Sequence, residues 1–459
     1  MVWTGHELTS NCRGNIIMGD PDTVITGFSV DSRYVKQGDM FVCLPGDKTD
    51  GHNFIDEAID NGARGCLVNR DIELSRRHSV HPPLVIKVND TLMALQEIAR
   101  KHRQKFGVSV VAVTGSIGKT TTKDMIASVL AEKYSILKTH GNLNSEIGLP
   151  LMLLELTQHH QVAVLEMGMN NQGEIARLCE LARPNVGVIT RIAESHIEKL
   201  GSLENIAEAK GELLENLLPG GTAILNCDDN WVRRLRSKVP GEVLYYGLTD
   251  GDLSAYNVRV DKDKTNAKIM SNDKSEQLNL PLIGKHNLSN ALAAIAVGRV
   301  FGLDLTQSIR ALEGFTGTSM RNQIKYHKDM IIIDDTYNAN VQSTLAAFDV
   351  LTNLPLNRRI AVLGDMFELG DYTEKAHKTV GEQAVNRGFD YLITVGELSK
   401  TTQEAADKLG MPEHQNIHVA DREQAIQRIL QIVKSGDGIL VKGSRGMAME
   451  KIVNSLLKT

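Results

Sequence analysis

The chain has 459 residues, 42% of them hydrophobic and 23% charged, and 51 Lys plus Arg against 56 Asp plus Glu leave a net charge of −5. Its length predicts about three domains, and a mildly acidic chain with 4% aromatics lacks the basic surface of a general nucleic-acid binder. No apolar run reaches the ~18 residues of a membrane span, the start MVWTGHELTS carries no basic-then-apolar leader pattern, and five scattered cysteines without a CxxC pair suggest neither a zinc site nor a disulfide framework. A cytoplasmic monomer with no nucleic-acid partner and no membrane span is expected.

From the N-terminus to about residue 86, short strands and loops alternate: ITGFSVDSR, GDMFVCLPG, an amphipathic stretch Phe54–Gly62, then GCLV. This predicts a small α/β module. Residues 87–316 alternate strands and helices. VSVVAVTG, VAVLEMG and VGVIT read as buried parallel strands, with a glycine turn and a helix near Lys123–Lys133 after the first. In Tyr256–Leu282, apolar and polar residues alternate on both sides of the polar run DKDKTN, which predicts an antiparallel meander. HNLSNALAAIAVGRVFG follows as a buried helix. Residues 317–459 resume the strand–helix rhythm through MIIID, RIAVLGD, YLITVG and GILVKGS, as in a Rossmann-like domain, but carry no GxGxxG dinucleotide pattern. The expected fold class is therefore α/β in three domains, with a parallel-sheet centre.

The strongest local signal is Thr114-Gly115-Ser116-Ile117-Gly118-Lys119-Thr120-Thr121-Thr122, between an apolar strand and a helix. Glycines let backbone N–H groups converge on phosphate oxygens, Lys119 supplies a point charge, and Thr120 can reach Mg²⁺. Its GxxGKT spacing is two residues shorter than the common phosphate loop. Glu166 ends the strand VAVLE, where open α/β sheets place ligands, and its carboxylate suits a cation; a solvated strand end would also accommodate it. His196 follows the next strand, in ESHIEKLGS, as a ligand or as a structural histidine. Lys210 falls on the apolar face of Leu203–Leu218, four residues after Ile206 and three before Leu213. Such a lysine either snorkels to water or is desolvated, which favours the neutral amine that reacts with CO₂ to give a carbamate, a carboxylate-like metal ligand.

TGSIGKTTTK, GNLNSEIGLPL, EMGMNNQGEI, ESHIEKLGS with IAEAKGE, GKHNLSNALAA, IDDTYNAN, LGDMFELG and VKGSRGMAMEKIV occur in this order. Together they resemble the Mur ligases of peptidoglycan synthesis over nearly the whole chain. IDDTYNAN, LGDMFELG and KGSR resemble the branch that joins D-alanyl-D-alanine to UDP-N-acetylmuramoyl-tripeptide. The DNPR-like motif of the neighbouring branch, which adds the third amino acid, is absent. A nucleotide-dependent switch that ligates nothing is the alternative from another class.

The resemblance implies an ATP-dependent amide ligase acting through an acyl phosphate. It places Gly115, Ser116, Gly118, Lys119, Thr120 and Thr121 on the ATP phosphates, Asn287 and Arg321 on the nucleotide, Asp335 near the ribose and Asn338 near the adenine. Thr120 and Glu166 would bind one Mg²⁺, and His196 with carbamylated Lys210 a second. Ser32, Arg33 and His52 would face the uridine diphosphate, and Asn142 the muramoyl-peptide channel. Lys442, Ser444 and Arg445 would lie where the last domain closes on the dipeptide, with Arg445 as a carboxylate clamp. The chain departs from the family at Val341, usually proline, at Ser145, commonly asparagine, and at Ala193, often glycine. None of these removes an implied ligand.

Overall fold

The strand Ser109–Thr114 is buried along almost its whole length, as β-branched residues on both faces require of a parallel strand. It carries the chain from one compact unit into another in a computed structural model that describes residues 2–46, 49–75, 78, 82–272 and 274–458. The first unit comprises Met1–Ala112, Tyr134–Met169 and Glu174–Asn185, and the second Val113–Lys133, Asn170–Gly173 and Val186–Thr459.

In the first unit a five-stranded sheet runs in the order Asn15–Met18, Leu84–Lys87, Gly65–Val68, Asp39–Val42, Gly27–Ser29. Only the first of these pairings is antiparallel. Phe41, Cys43, Cys66 and Val85 form its core with Ile55 and Ala58. The amphipathic stretch becomes a short helix, Ile55–Asp60, led by a turn Gly51–Phe54 in which the Asp50 side chain accepts the His52 N–H. Strands Ile136–Lys138 and Val162–Glu166 pair in parallel, so Glu166 stands at a strand's carboxyl end.

In the second unit Val186–Ile189, Thr222–Asn226, Glu242–Gly247 and Leu253–Val260 are successive parallel neighbours. The expected meander is present and has one strand more than the two alternating runs: Thr265–Ser271 pairs antiparallel with both Leu253–Val260 and Lys274–Leu280. The last part of the chain builds a six-stranded sheet in the order Gln323–His327, Met330–Asp335, Asp437–Lys442, Arg358–Gly364, Tyr391–Val395, Asn416–Val419. All but the first pairing are parallel. Its apolar core gathers Ile332, Ile360, Val362, Ile439 and Val441 with helix residues Ile429, Ile452 and Val453. The strand–helix alternation of the sequence is thus observed as the Rossmann-like layer arrangement.

The helix expected near Lys123–Lys133 runs from Lys119 to Ala131. It begins earlier because Gly118, with φ of 85°, turns the chain directly into the first helical residue. Among the described residues no helix is long and apolar enough to cross a membrane.

Candidate active site

In the second unit the phosphate loop is closed by the segment leaving strand Val186–Ile189. The Ser116 N–H donates to the Arg191 carbonyl at 2.7 Å and Ser116 Oγ to the Ala193 carbonyl at 2.9 Å. Thr190 Oγ1 donates to the Ile117 carbonyl at 2.6 Å. Gly115 has φ of 145°, and a Cβ there would meet Thr190 Oγ1 at 2.0 Å; a Cβ on Gly118 would meet Asn290 Oδ1 at 2.7 Å. The loop therefore requires glycine at both positions. Lys119 Nζ donates to the Gly115 carbonyl at 2.7 Å, which holds its charge at the loop. Thr120 is half-buried in the first turn of the helix, and Thr121 is buried behind it. Free helix N–H groups and this ammonium together form an anion-binding end.

Lys210 is 1% exposed on the helix Leu203–Glu215, and no carboxylate pairs with it among the described residues. Burial, reinforced by the nearby charge of Lys119, pushes its ammonium well below the ordinary lysine value. The snorkelling arrangement is not adopted, and the neutral amine is favoured. His196 adopts φ of 58°, and its Nδ1 lies 2.7 Å from Oε2 of Glu368 in the LGDMFELG segment. That contact holds the Glu368 carboxyl below the usual range and leaves Nε2 as the other ring nitrogen.

Asp335 Oδ1 accepts the N–H of Asn322 at 3.0 Å, and Oδ2 accepts from Lys442 Nζ. Lys442 also donates to the Asn338 carbonyl at 2.9 Å. Arg321 lays its guanidinium over the Tyr337 ring, 4.1 Å from the centroid. Residues the resemblance assigned to nucleotide and to dipeptide thus share one buried ion pair. Asn287 is buried and donates to the Ile283 carbonyl at 2.9 Å. Ser444 is buried and its Oγ accepts the Phe367 N–H at 2.9 Å, whereas Arg445 is half-exposed and reaches Glu450 at 2.9 Å.

A cavity of about 760 Å³ opens at the start of the helix Lys285–Val300, lined by Arg191, Asn226, Asp228, His286 and Asp349 among others. His286 Nε2 is buried without a hydrogen-bond partner among the described residues, and burial pushes that imidazole below its usual value. The sequence reading missed His286, although it adjoins Asn287 in GKHNLSN.

In the first unit Glu166 is 3% exposed. Its Oε1 accepts from Asn144 Nδ2 at 2.7 Å, its backbone N–H donates to Thr139 Oγ1 at 2.9 Å, and Oε2 is buried without a partner among the described residues. An unsatisfied buried carboxylate oxygen is costly and suits a hard cation. Asn144, which the sequence reading passed over, is the residue that orients it; Asn142 is exposed. Ser32 is buried and donates to Glu57 at 2.8 Å. Arg33 is exposed and forked onto Asp31 at 2.9 and 2.6 Å. His52 is buried, with Nδ1 2.6 Å from Asp50 and Nε2 accepting the Asn69 N–H at 3.3 Å. Both ring nitrogens of His52 are thus engaged within the protein.

Among the described residues no three His, Cys, Asp or Glu side chains converge as a metal cage. Mg²⁺ is commonly bound by one or two protein oxygens together with substrate phosphates, and the Glu166 oxygen fits that role.

Three family models match the chain in order: "Mur ligase family, catalytic domain" over 24–103, "Mur ligase middle domain" over 113–298, and "Mur ligase, glutamate ligase domain" over 320–445. Proteins named UDP-N-acetylmuramoyl-tripeptide–D-alanyl-D-alanine ligase from Bacillus subtilis and Escherichia coli are 38% and 36% identical, each across 95% of this chain and 94% of the relative. Among solved structures, MurF from Acinetobacter baumannii superposes with a TM-score of 0.90 at 31% identity, covering 100% of this chain and 99% of that one. A MurF ligase from Thermotoga maritima in complex with ADP superposes with a TM-score of 0.81 at 30% identity, covering 94% and 97%.

Proposed function

The chain belongs to the Mur ligase family, and on that premise we infer that it joins D-alanyl-D-alanine to UDP-N-acetylmuramoyl-tripeptide, with ATP as the energy source, as a cytoplasmic monomer in peptidoglycan precursor synthesis. The observation that carries the chemistry is the phosphate loop, shaped by Gly115 and Gly118 and charged by Lys119 at a helix N-terminus.

The tripeptide carboxylate attacks the terminal phosphorus of ATP, the bond to the bridging oxygen breaks, and ADP leaves an acyl phosphate. The dipeptide amine then attacks the acyl carbon. The tetrahedral adduct loses a proton and expels inorganic phosphate, and the amide remains. The first step brings two anions together, so fixed positive charge lowers its barrier. Lys119 and the loop N–H groups hold the terminal phosphates, with Ser116, Thr120 and Thr121 around them. Asn287 and Arg321 lie on the nucleotide, Asp335 near its ribose and Asn338 near its adenine. Ser32, Arg33 and His52 belong to a uridine-nucleotide module over 1–86, Asn142 to the peptide channel, and Ser444 and Arg445 to the dipeptide side of a closing domain over 317–459. The ATP-binding domain spans 87–316.

Glu166 and Thr120 would be oxygen ligands for one Mg²⁺. His196 would be a ligand for a second, together with Lys210 as its carbamate. The neutral Lys210 amine adds to CO₂, an N–C bond forms and one N–H proton leaves to water. Bound Mg²⁺ supplies Lewis-acid stabilisation of the phosphoryl and acyl oxygens.

The test is phosphate release from ATP with UDP-N-acetylmuramoyl-tripeptide and D-alanyl-D-alanine, omitting each in turn. Release that requires all three is expected. Release without the dipeptide would instead identify an ATPase or a switch, and release with a free diamino acid plus the UDP-linked dipeptide would identify the neighbouring branch.

A further inference from the structure

Lys442 ends the strand Asp437–Lys442 and stands in parallel register with Asp335, which ends Met330–Asp335. Its side chain is 2% exposed and that of Asp335 8%. Two of its three donors are taken, by the Asp335 carboxylate and by the Asn338 carbonyl. The other Asp335 oxygen accepts the N–H of Asn322, next to Arg321 on its Tyr337 platform. One ammonium therefore ties together 321–322, 335–338 and 442. Both of its bonds hold the ammonium against the DDTYNAN segment, and drawing it away toward a dipeptide would take the counter-charge from a buried carboxylate, which is strongly unfavourable. Arg445, three residues on, is half-exposed and bonded to Glu450 at the surface. The two cations of KGSR thus face different ways: the lysine inward to the DDTYNAN segment, the arginine outward.

We propose that Lys442 is a positioning residue for the nucleotide and does not bind the dipeptide: it holds Asp335 and the Asn338 backbone in the arrangement that receives the ATP nucleoside. This rests on the reading of Asp335 and Asn338 as nucleotide residues. Burial pushes the Lys442 ammonium below the ordinary lysine value while Asp335 pulls it back up, as expected of a charge kept in place by one partner.

The experiment compares wild type, Lys442→Met, Asp335→Asn and the double variant by calorimetric ADP affinity and by separate KM values for ATP and D-alanyl-D-alanine. Lys442→Met is expected to weaken ADP about tenfold and to raise the KM for ATP, with the dipeptide KM unchanged. Since Lys442 acts through Asp335, the double variant is expected to match Asp335→Asn alone. A raised dipeptide KM with unaltered ADP affinity overturns the proposal, as does a double variant whose losses add. Should Lys442→Met fail to fold, the double variant lacks both charges and carries the comparison: a dipeptide KM above that of Asp335→Asn overturns the proposal, and an equal one supports it. If the wild-type protein binds no ADP, the underlying nucleotide reading fails, an outcome distinct from the others.

Discussion

Nδ1 of His196 stands 2.7 Å from Oε2 of Glu368, and both residues hold the left-handed backbone conformation, with φ of 58° and 64°. The pair joins the segment after strand Val186–Ile189 to the loop after strand Arg358–Gly364. Beside it, Gly370 lies so near Glu198 that a Cβ would approach its backbone to 3.1 Å. A carboxylate on one imidazole nitrogen fixes the ring and its tautomer and makes the other nitrogen a better ligand.

Glu368→Ala is therefore expected to lower activity by about 10- to 100-fold and to raise the Mg²⁺ concentration needed for half-maximal rate. The Glu368 side chain is more than half exposed, so thermal stability should barely move, in keeping with the ~0–1 kcal/mol of surface ion pairs. Melting curves and Mg²⁺ titrations of the rate check both halves. An unchanged Mg²⁺ requirement would sink the orienting role.

Lys119→Ala is expected to reduce turnover by at least ~100-fold, because a preorganised charge on the transferred phosphoryl group is lost. The side chain is only half-buried and its bond to the Gly115 carbonyl stays within the loop, so the fold should persist by circular dichroism. Near-wild-type turnover would refute the loop assignment.

Lys210→Met separates stability from activity. With its pKa depressed in the fold, Lys210 binds a proton more readily in the unfolded chain, where the value is 10.5. Burial of this lysine therefore destabilises the wild type most at acid pH, and the penalty shrinks as pH rises from the folded pKa toward 10.5. In CO₂-depleted buffer the variant should melt higher than wild type, on the order of a few degrees. Its advantage should fall with rising pH while turnover is lost. A variant less stable than wild type at pH 6 would contradict the desolvated-amine account.

Asn144→Ala removes the donor to Glu166 Oε1 and leaves both carboxylate oxygens without a side-chain partner. Metal affinity or activity is expected to fall ~10-fold or more, as for other residues that orient a ligand. Mn²⁺ binding followed by electron paramagnetic resonance, alongside the rate, tests this. Unaltered binding would assign Asn144 to packing alone.

What was legible in the sequence was local. The phosphate loop was readable because strand, glycines, lysine and helix fall within a few residues. Lys210 was readable because helical period alone puts it on the apolar face, and it is buried as that period implies. The helix Thr91–Gln104 escaped notice because Gln96, His102 and Arg103 occupy its buried face, which blurs the apolar stripe. The strand Thr265–Ser271 was hidden by the polar run before it, although Thr265, Ala267 and Ile269 alternate inward. The partners of site residues were beyond reach for a different reason. Asn144 and Glu166 are 22 positions apart, and Asp335 and Lys442 are 107 apart. Strand register brings Asp335 and Lys442 together, and the loop after strand Ile136–Lys138 brings Asn144 to Glu166; no short-range pattern encodes either.

The stretch from Thr190 to Ala193 closes the phosphate loop through three bonds to Ser116 and Ile117, and His196 stands three residues further along the same backbone. Loop and histidine therefore share one mechanical mount. Ser116 is bonded to the Arg191 and Ala193 carbonyls, so the loop and the base of the imidazole hang from one backbone segment. Enlarging Ala193 would disturb both ends of this lever at once, so a small side chain at that position follows from mechanics as much as from space.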